Sequence, residues 1–312
     1  MKLIQFIPVD TRIPFMRFRN AAMAVSLVLM VLSVGFFLIK GLNFGIDFRG
    51  GILVEIRTSQ AADIGELRAR LSGLNLGEIA LQEFGLDTDV LIRIERQEGS
   101  SKDQLAAVEI VKQALGAGVE YRRVEFVGPK VSAELIQAGI EAVLLALFFM
   151  MVYIWFRFEW QFGVGAVVAL AHDVIATIGI FAMLGLEFNL STVAAILTIA
   201  GYSINDTVVV YDRVRENLRK YKVMPLADLL SRSLNDTLSR TLLTSITTLL
   251  ALLVLYFFGG QVIKGFSFAM IWGVLVGTYS SIFVATPLLI SLNLRADKVA
   301  GEDEGSPAES KP

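Results

Sequence analysis

Ile196-Leu197-Thr198-Ile199-Ala200-Gly201-Tyr202-Ser203-Ile204-Asn205-Asp206-Thr207-Val208-Val209-Val210-Tyr211 is the stretch on which the fold turns. It closes an apolar run over 188–211, yet Thr198, Tyr202, Asn205 and Asp206 recur at i, i+4, i+7 and i+8, so one face of a helix is polar. A bilayer core takes about 20 mostly apolar residues. Five further runs of that size lie at 21–39, 135–156, 162–186, 241–263 and 265–294. The chain therefore reads as an α-helical polytopic membrane protein with six transmembrane helices, and the run that carries an acid is its fourth.

Composition agrees. Of 312 residues 54% are hydrophobic and 19% charged, with no cysteine and a net charge of −2. Counted with Gly and without Tyr, the apolar share is about 60%, against roughly 45–50% in soluble domains. A simple soluble enzyme, a disordered chain and a disulfide-stapled domain are excluded on these numbers, and the net charge gives no argument for nucleic acid. Lacking Cys, the chain has no thiol chemistry and suits either redox side. The first run follows Lys2, Arg12, Arg17 and Arg19 as a signal peptide would. Its apolar core is too long for one, and Lys40-Gly41-Leu42-Asn43-Phe44 is a poor cleavage site, so a retained anchor is expected.

Orientation follows from Lys and Arg in short loops. The N-terminal four, Arg157, the group Arg213, Arg215, Arg219, Lys220, Lys222, Arg232 and Arg240, and the tail residues Arg295, Lys298 and Lys311 fall on one side. Only Lys264 marks the opposite short loops. The expected division is a cytoplasmic N-terminus at 1–20, helix 1 at 21–39, an extracytoplasmic (periplasmic) domain at 40–133, helices 2–6 within 134–294 and a disordered cytoplasmic tail at 295–312. Both termini are then cytoplasmic.

Periodicity alternates inside the insert. Strand patterns occupy 51–58, 78–84, 89–95 and 119–127, the last through Val119, Tyr121, Val124 and Phe126. Helical spacing covers 61–71 (Ile64, Leu67, Leu71) and 101–115 (Leu105, Val108, Val111, Leu115), the second capped by Ser100 or Ser101. The order β-α-β-β-α-β is the ferredoxin-like α+β arrangement. Two helices cover one face of such a sheet. The other face is either a surface for an extended polypeptide or partner, or part of a plain cap domain.

Ionisable groups in apolar spans cost about 2.5–3.5 kcal/mol each at a helix centre. Asp206 lies roughly 7–8 Å inside the cytoplasmic end of its span. The fifth span carries a matching row, Arg240, Thr244, Thr247 and Thr248, and Arg240 enters from the same side, so an Asp206–Arg240 pair is geometrically permitted. Burial raises a carboxylate's proton affinity and a nearby guanidinium lowers it; the pair is either a proton relay or a static ion pair. Asp173, about 17 Å from the inner end of span three, is either a second relay carboxylate or a group hydrogen-bonded by neighbouring hydroxyls. His172, the one histidine, reads as a packing residue and not a metal ligand, and Glu141 near the outer interface reaches water. Gly273, Gly277, Ser281 and Ala285 form a small-residue row for close helix packing, while Gly45, Gly50 and Gly51 serve a tight exit from helix 1. No phosphate-binding loop, nucleophile elbow or zinc spacing occurs. No cofactor is expected.

Several segments together resemble the SecF family of bacterial protein-export membrane proteins. They are Gly45-Ile46-Asp47-Phe48-Arg49-Gly50-Gly51, Val127-Gly128-Pro129, Ala171-His172-Asp173-Val174-Ile175, the run from Gly201 through Tyr211-Asp212-Arg213-Val214-Arg215-Glu216-Asn217, and Ser239-Arg240-Thr241-Leu242-Leu243-Thr244-Ser245 with Thr247-Thr248. The resemblance covers about 20–293. It implies half of a resistance–nodulation–division type transporter in the bacterial inner membrane, non-enzymatic, with SecD as the other half. It also implies work with the SecYEG channel, SecA and YajC on a translocating polypeptide, driven by the proton motive force. It assigns proton coupling to a carboxylate in span four and an arginine opening span five, here Asp206 and Arg240. A half-transporter expelling lipids or small solutes, and a non-energised assembly scaffold, are the other readings.

Overall fold

The computed structural model describes residues 11–84, 86–97, 99, 101–260 and 263–294. Lys2, the tail 295–312 with its three cations, and the cap assigned to Ser100 or Ser101 lie outside the described residues and side chains. The chain divides into a helical unit, 11–42, 144–186 and 194–294, and a sheet unit, 43–143 and 187–193.

In the sheet unit, β1 (Asn43–Phe44) leads through the single turn α2 (Ile46–Arg49) into β2 (Gly51–Thr58), α3 (Ile64–Ser72), β3 (Ile79–Phe84), β4 (Leu86–Ile94), α4 (Ser101–Leu115) and β5 (Val119–Val127). The four-stranded sheet runs β3-β4-β2-β5, all antiparallel, which is the ferredoxin-like order. Its core joins Ile52, Val54, Ile56, Val90, Ile92 and Ile94 to Leu67 and Leu71 of α3 and Val108, Val111 and Leu115 of α4. Helix α3 starts three residues later than expected because Asp63 caps it, accepting from Glu66 N at 3.0 Å. Leu105, expected in the core, is exposed. Gln104 takes the inward position of α4, clamping the Gln97 backbone with both ends of its amide. The odd-to-even change between Tyr121 and Val124 is a β-bulge: Glu55 faces Arg123 and Ile56 faces Tyr121, so Arg122 is the extra residue.

The second sheet face holds a small cluster of Leu53, Leu91, Val127 and Ile46, and beside it a charged pair. The Arg57 guanidinium grips the fully buried Asp89 through two bonds of 2.6 and 2.7 Å. It holds the Asp89 carboxyl below the ordinary carboxylate range, while burial pushes Glu55 up.

The glycine motif is a clasp. β1 pairs in parallel with β6 (Glu187–Phe188), Gly45 N donates to Phe188 O, and Asp47 Oδ2 accepts Leu190 N at 3.0 Å. Gly50 and Gly51 have positive φ as a tight exit requires. Gly45 does not. It is small because an added Cβ would stand 2.5 Å from Glu187 Oε1. The two-residue strands β1 and β6 carry too little pattern to be read from sequence.

Among the described residues six helices are long and apolar enough to cross a membrane: α1 (Arg19–Lys40, entered by a turn from Phe15), α5 (Pro129–Arg157), α6 (Trp160–Leu184), α7 (Leu190–Lys220), α8 (Leu226–Phe258) and α9 (Lys264–Ser280). The sixth span continues through a π-helical turn, Ser281–Ala285, into α10 (Thr286–Ser291). Pro287 lacks the N–H that a regular helix would give to the carbonyl four residues back, and its ring crowds that carbonyl. The widened turn is tied by Thr286 Oγ1 to Ser281 O and by Tyr211 Oη to Ala285 O. Helix α7 runs nine residues beyond the expected 211, and α8 begins fifteen before the expected 241. Both extensions are amphipathic, burying Val214 and Leu218 against Leu229, Leu230, Leu234 and Leu238. The cations assigned to a loop between spans four and five therefore sit mostly on helix surfaces.

Candidate functional site

The small-residue row sets the site. At Gly273 an added Cβ would overlap Ile199, and at Gly277 it would stand 3.1 Å from Ser203 Cβ, so α9 and α7 approach closely. Their polar residues then meet those of α6 and α8.

Asp206 is buried, and Thr241 of α8 donates to its Oδ1 at 2.6 Å. Its Oδ2 is buried and makes no hydrogen bond among the described residues, although the Ser281 hydroxyl lies beside the carboxylate. Thr207, the next residue, shares a 3.0 Å hydrogen bond with Ser281 on the π turn. Arg240 does not close on Asp206: among the described residues no ion pair joins them within 4.0 Å, and Arg240 is exposed. Thr241 is the inward residue at that level, so its hydroxyl takes the place that a direct Asp206–Arg240 pair, geometrically permitted by the spacing, would occupy. Arg240 remains within electrostatic reach of the acid.

The rest of the polar row splits. Tyr202 Oη donates to Ser245 Oγ at 3.2 Å, and Ser245 meets Thr278 at 2.7 Å, which links α7, α8 and α9. Thr248 is half-buried. Thr198, Asn205 and Thr244 are exposed. Thr198 and Thr244 turn their hydroxyls to carbonyls of their own helices.

Asp173 belongs to a second cluster. It is fully buried, and its Oδ2 accepts Ser203 of α7 at 2.5 Å and Ser280 of α9 at 2.8 Å. Its Oδ1 stands 3.0 Å from His172 Nδ1. Three helices are thus tied to one carboxylate. His172 is buried beside the Tyr279 ring, with centroids 6.2 Å apart, but its Nε2 has no partner among the described residues, so it is not the fully satisfied packing residue expected. Sequence reasoning missed Ser203, Thr241, Ser280 and Ser281 as carboxylate neighbours. Ser281 lies in the small-residue row and Thr241 follows Arg240, but hydroxyls in apolar helices commonly bond their own backbone, and Ser203 and Ser280 fall on no spacing that marks them.

The chain matches two family models, the C-terminal region of the protein export membrane proteins SecD/SecF over residues 107–295 and the SecD/SecF GG motif over 35–62. It is 47% identical over 290 residues to the protein translocase subunit SecF of Rickettsia rickettsii, covering 92% of this chain and 94% of that one. It is also 47% identical over 310 residues to SecF of Rhodobacter capsulatus, covering 95% and 93%. A crystal structure of SecDF, a translocon-associated membrane protein from a Thermus species, superposes with a TM-score of 0.84 at 37% identity, over 93% of this chain and 40% of that chain. SecDF in its super-membrane-facing form gives 0.66 at 35% identity, over 96% and 41%. This chain thus spans about two fifths of the SecDF chains and nearly all of the curated relatives. On sequence, on fold and on the placement of the glycine motif, the chain belongs to the SecF family of protein translocase subunits.

Proposed function

We propose that the chain couples proton entry to polypeptide export as the SecF half of a SecDF assembly, with Asp206 as the proton-exchanging group and Arg240 as its movable counter-charge. The observation that carries this reading is the state of Asp206: buried mid-helix, held at one oxygen by Thr241, unpartnered at the other, with an arginine one residue away on α8. Such a carboxylate gains from a proton, or from an approaching cation, and the two compete. Swinging Arg240 inward, or admitting water, exchanges one for the other and shifts α7 against α8. One charge moved through 100 mV supplies about 2.3 kcal/mol.

The exposed Thr198, Asn205, Arg240 and Thr244 support a helical partner over this face, because Asn and Arg are costly against lipid; SecD is the partner assigned. Work alongside the SecYEG channel, SecA and YajC belongs to the same proposal. Orientation in the inner membrane follows from the described cations: Arg12, Arg17, Arg19, Arg157, Arg213, Arg215, Arg219 and Lys220 cluster at one set of helix ends, with Lys40 and Lys264 at the other. The first set is taken as cytoplasmic, which places 40–133 outside. Asp173, tied by three side chains, fits a fixed junction of α6, α7 and α9 better than a second relay.

Export of a secretory polypeptide into membrane vesicles, with and without a proton gradient, tests the reading. Asp206→Asn and Arg240→Leu should insert at wild-type levels and lose the gradient-dependent stimulation. Full stimulation in either variant refutes the assignment.

A further inference from the structure

A groove of about 430 Å³ opens between α5 and α6 in the helical unit, just below the turn that joins them. Phe148, Met151 and Trp155 line one wall, and Trp160, Gly163 and Val164 the other. It exists because Gly163 leaves its floor empty: an added Cβ would meet only Ile154, at 3.8 Å. No residue in the most apolar window of α5 is fully buried within the chain, and Trp155 and Trp160 are 81% and 58% exposed at the mouth, where aromatic residues mark a membrane interface.

Two guanidinium groups stand at this turn, Arg157 at the end of α5 and Arg215 reaching in from α7. Arg157 and Arg215 flank the Phe158 ring at 5.6 and 5.5 Å from its centroid. Arg157 uses one nitrogen, Nη2, on Asp212, at 3.0 and 2.9 Å, and its side chain is 47% exposed. Arg215 Nη1 donates to Arg157 O, while its Nε is buried without a hydrogen-bond partner. Glu159 at the turn is already engaged within the chain.

We propose that this groove is a phospholipid site, with one acyl chain between α5 and α6 and the phosphodiester on Arg157 beside Arg215. The groove falls within the roughly 300–1,000 Å³ of ligand pockets. Arginine matches phosphate geometrically as well as by charge. Asp212 offsets one cation, so the phosphodiester itself is recognised and not a strongly negative headgroup. The site lies apart from Asp206 and does not rest on its role.

Native mass spectrometry of the full chain, purified in mild detergent, tests this. One phospholipid per chain should survive. Gly163→Leu, which fills the floor, should lower occupancy at least tenfold without changing the melting temperature, and Val164→Trp serves the same purpose should the leucine variant misfold. Arg157→Gln should weaken retention, and Leu250→Phe on the exposed side of α8 should leave it unchanged. After delipidation, phosphatidylglycerol and phosphatidylethanolamine should both reload the site. Wild-type occupancy in both filled variants, or equal reloading by uncharged diacylglycerol, overturns the proposal.

Discussion

Asp173→Ala and Asp173→Asn together separate a junction from a relay. Alanine removes the acceptor of Ser203 and Ser280 and the neighbour of His172, buried polar groups on three helices of which only Ser280 keeps a second acceptor, Gly277 O. Breaking one partner out of a buried charged cluster costs about 3–5 kcal/mol. At roughly 2–4 °C per kcal/mol for a unit of this size, the melting temperature should fall by about 6–20 °C. Asparagine keeps an oxygen for the two serines but loses the charge. Each bond then drops from about 1.5–3 to about 0.5–1.5 kcal/mol, and relief of the buried charge offsets part of that. Its melting temperature should therefore lie between alanine and wild type, with gradient-dependent export retained. Thermal unfolding of the purified chain and vesicle export, measured on the same variants, give both readouts. An asparagine variant that melts like wild type but loses all gradient-dependent export would refute the junction and make Asp173 a proton carrier.

Asp47→Ala removes the side chain that accepts Leu190 N; loss of such a cap costs about 0.5–2 kcal/mol, and amide exchange in the first turn of α7 should accelerate accordingly. Asp89, held low by Arg57, contributes stability that is present above the unfolded carboxylate value near 3.9 and is lost as pH falls through the lower folded value. Exchange protection of β2 and β4 should decline on acidification in wild type, and Asp89→Asn should lose that pH dependence. Glu55 has the opposite sign: burial raises it, so stability falls as pH climbs from its unfolded value toward its folded one, and Glu55→Gln should be the more protected form at neutral pH.

What the sequence disclosed and what it withheld divide along one physical line. Features written in a single element's periodicity were legible, namely the six apolar runs and the βαββαβ order, whereas the bulge in β5 passed as plain alternation. Features set by how one element rotates against another were not. Leu105 and Gln104 differ by one position on α4, and only packing decides which turns inward. Residues 212–220 and 226–240 are too charged to read as span, yet they stay helical because each buries one stripe against the other.

The same limit governs the site. Helical spacing placed Tyr202, Asn205 and Asp206 on one polar face, but a face of that width looks in two directions. Tyr202 and Asp206 turn toward α8, to Ser245 and Thr241, while Asn205 turns out with Arg240 and Thr244. A sequence read alone assumes that all polar groups in a membrane meet each other inside one bundle. This chain spans about two fifths of the SecDF chains it matches, and under the proposed pairing with SecD the outward part of its polar row is left for that partner. The outward Arg240 is then the expected state of one half, poised one residue from the hydroxyl that holds Asp206.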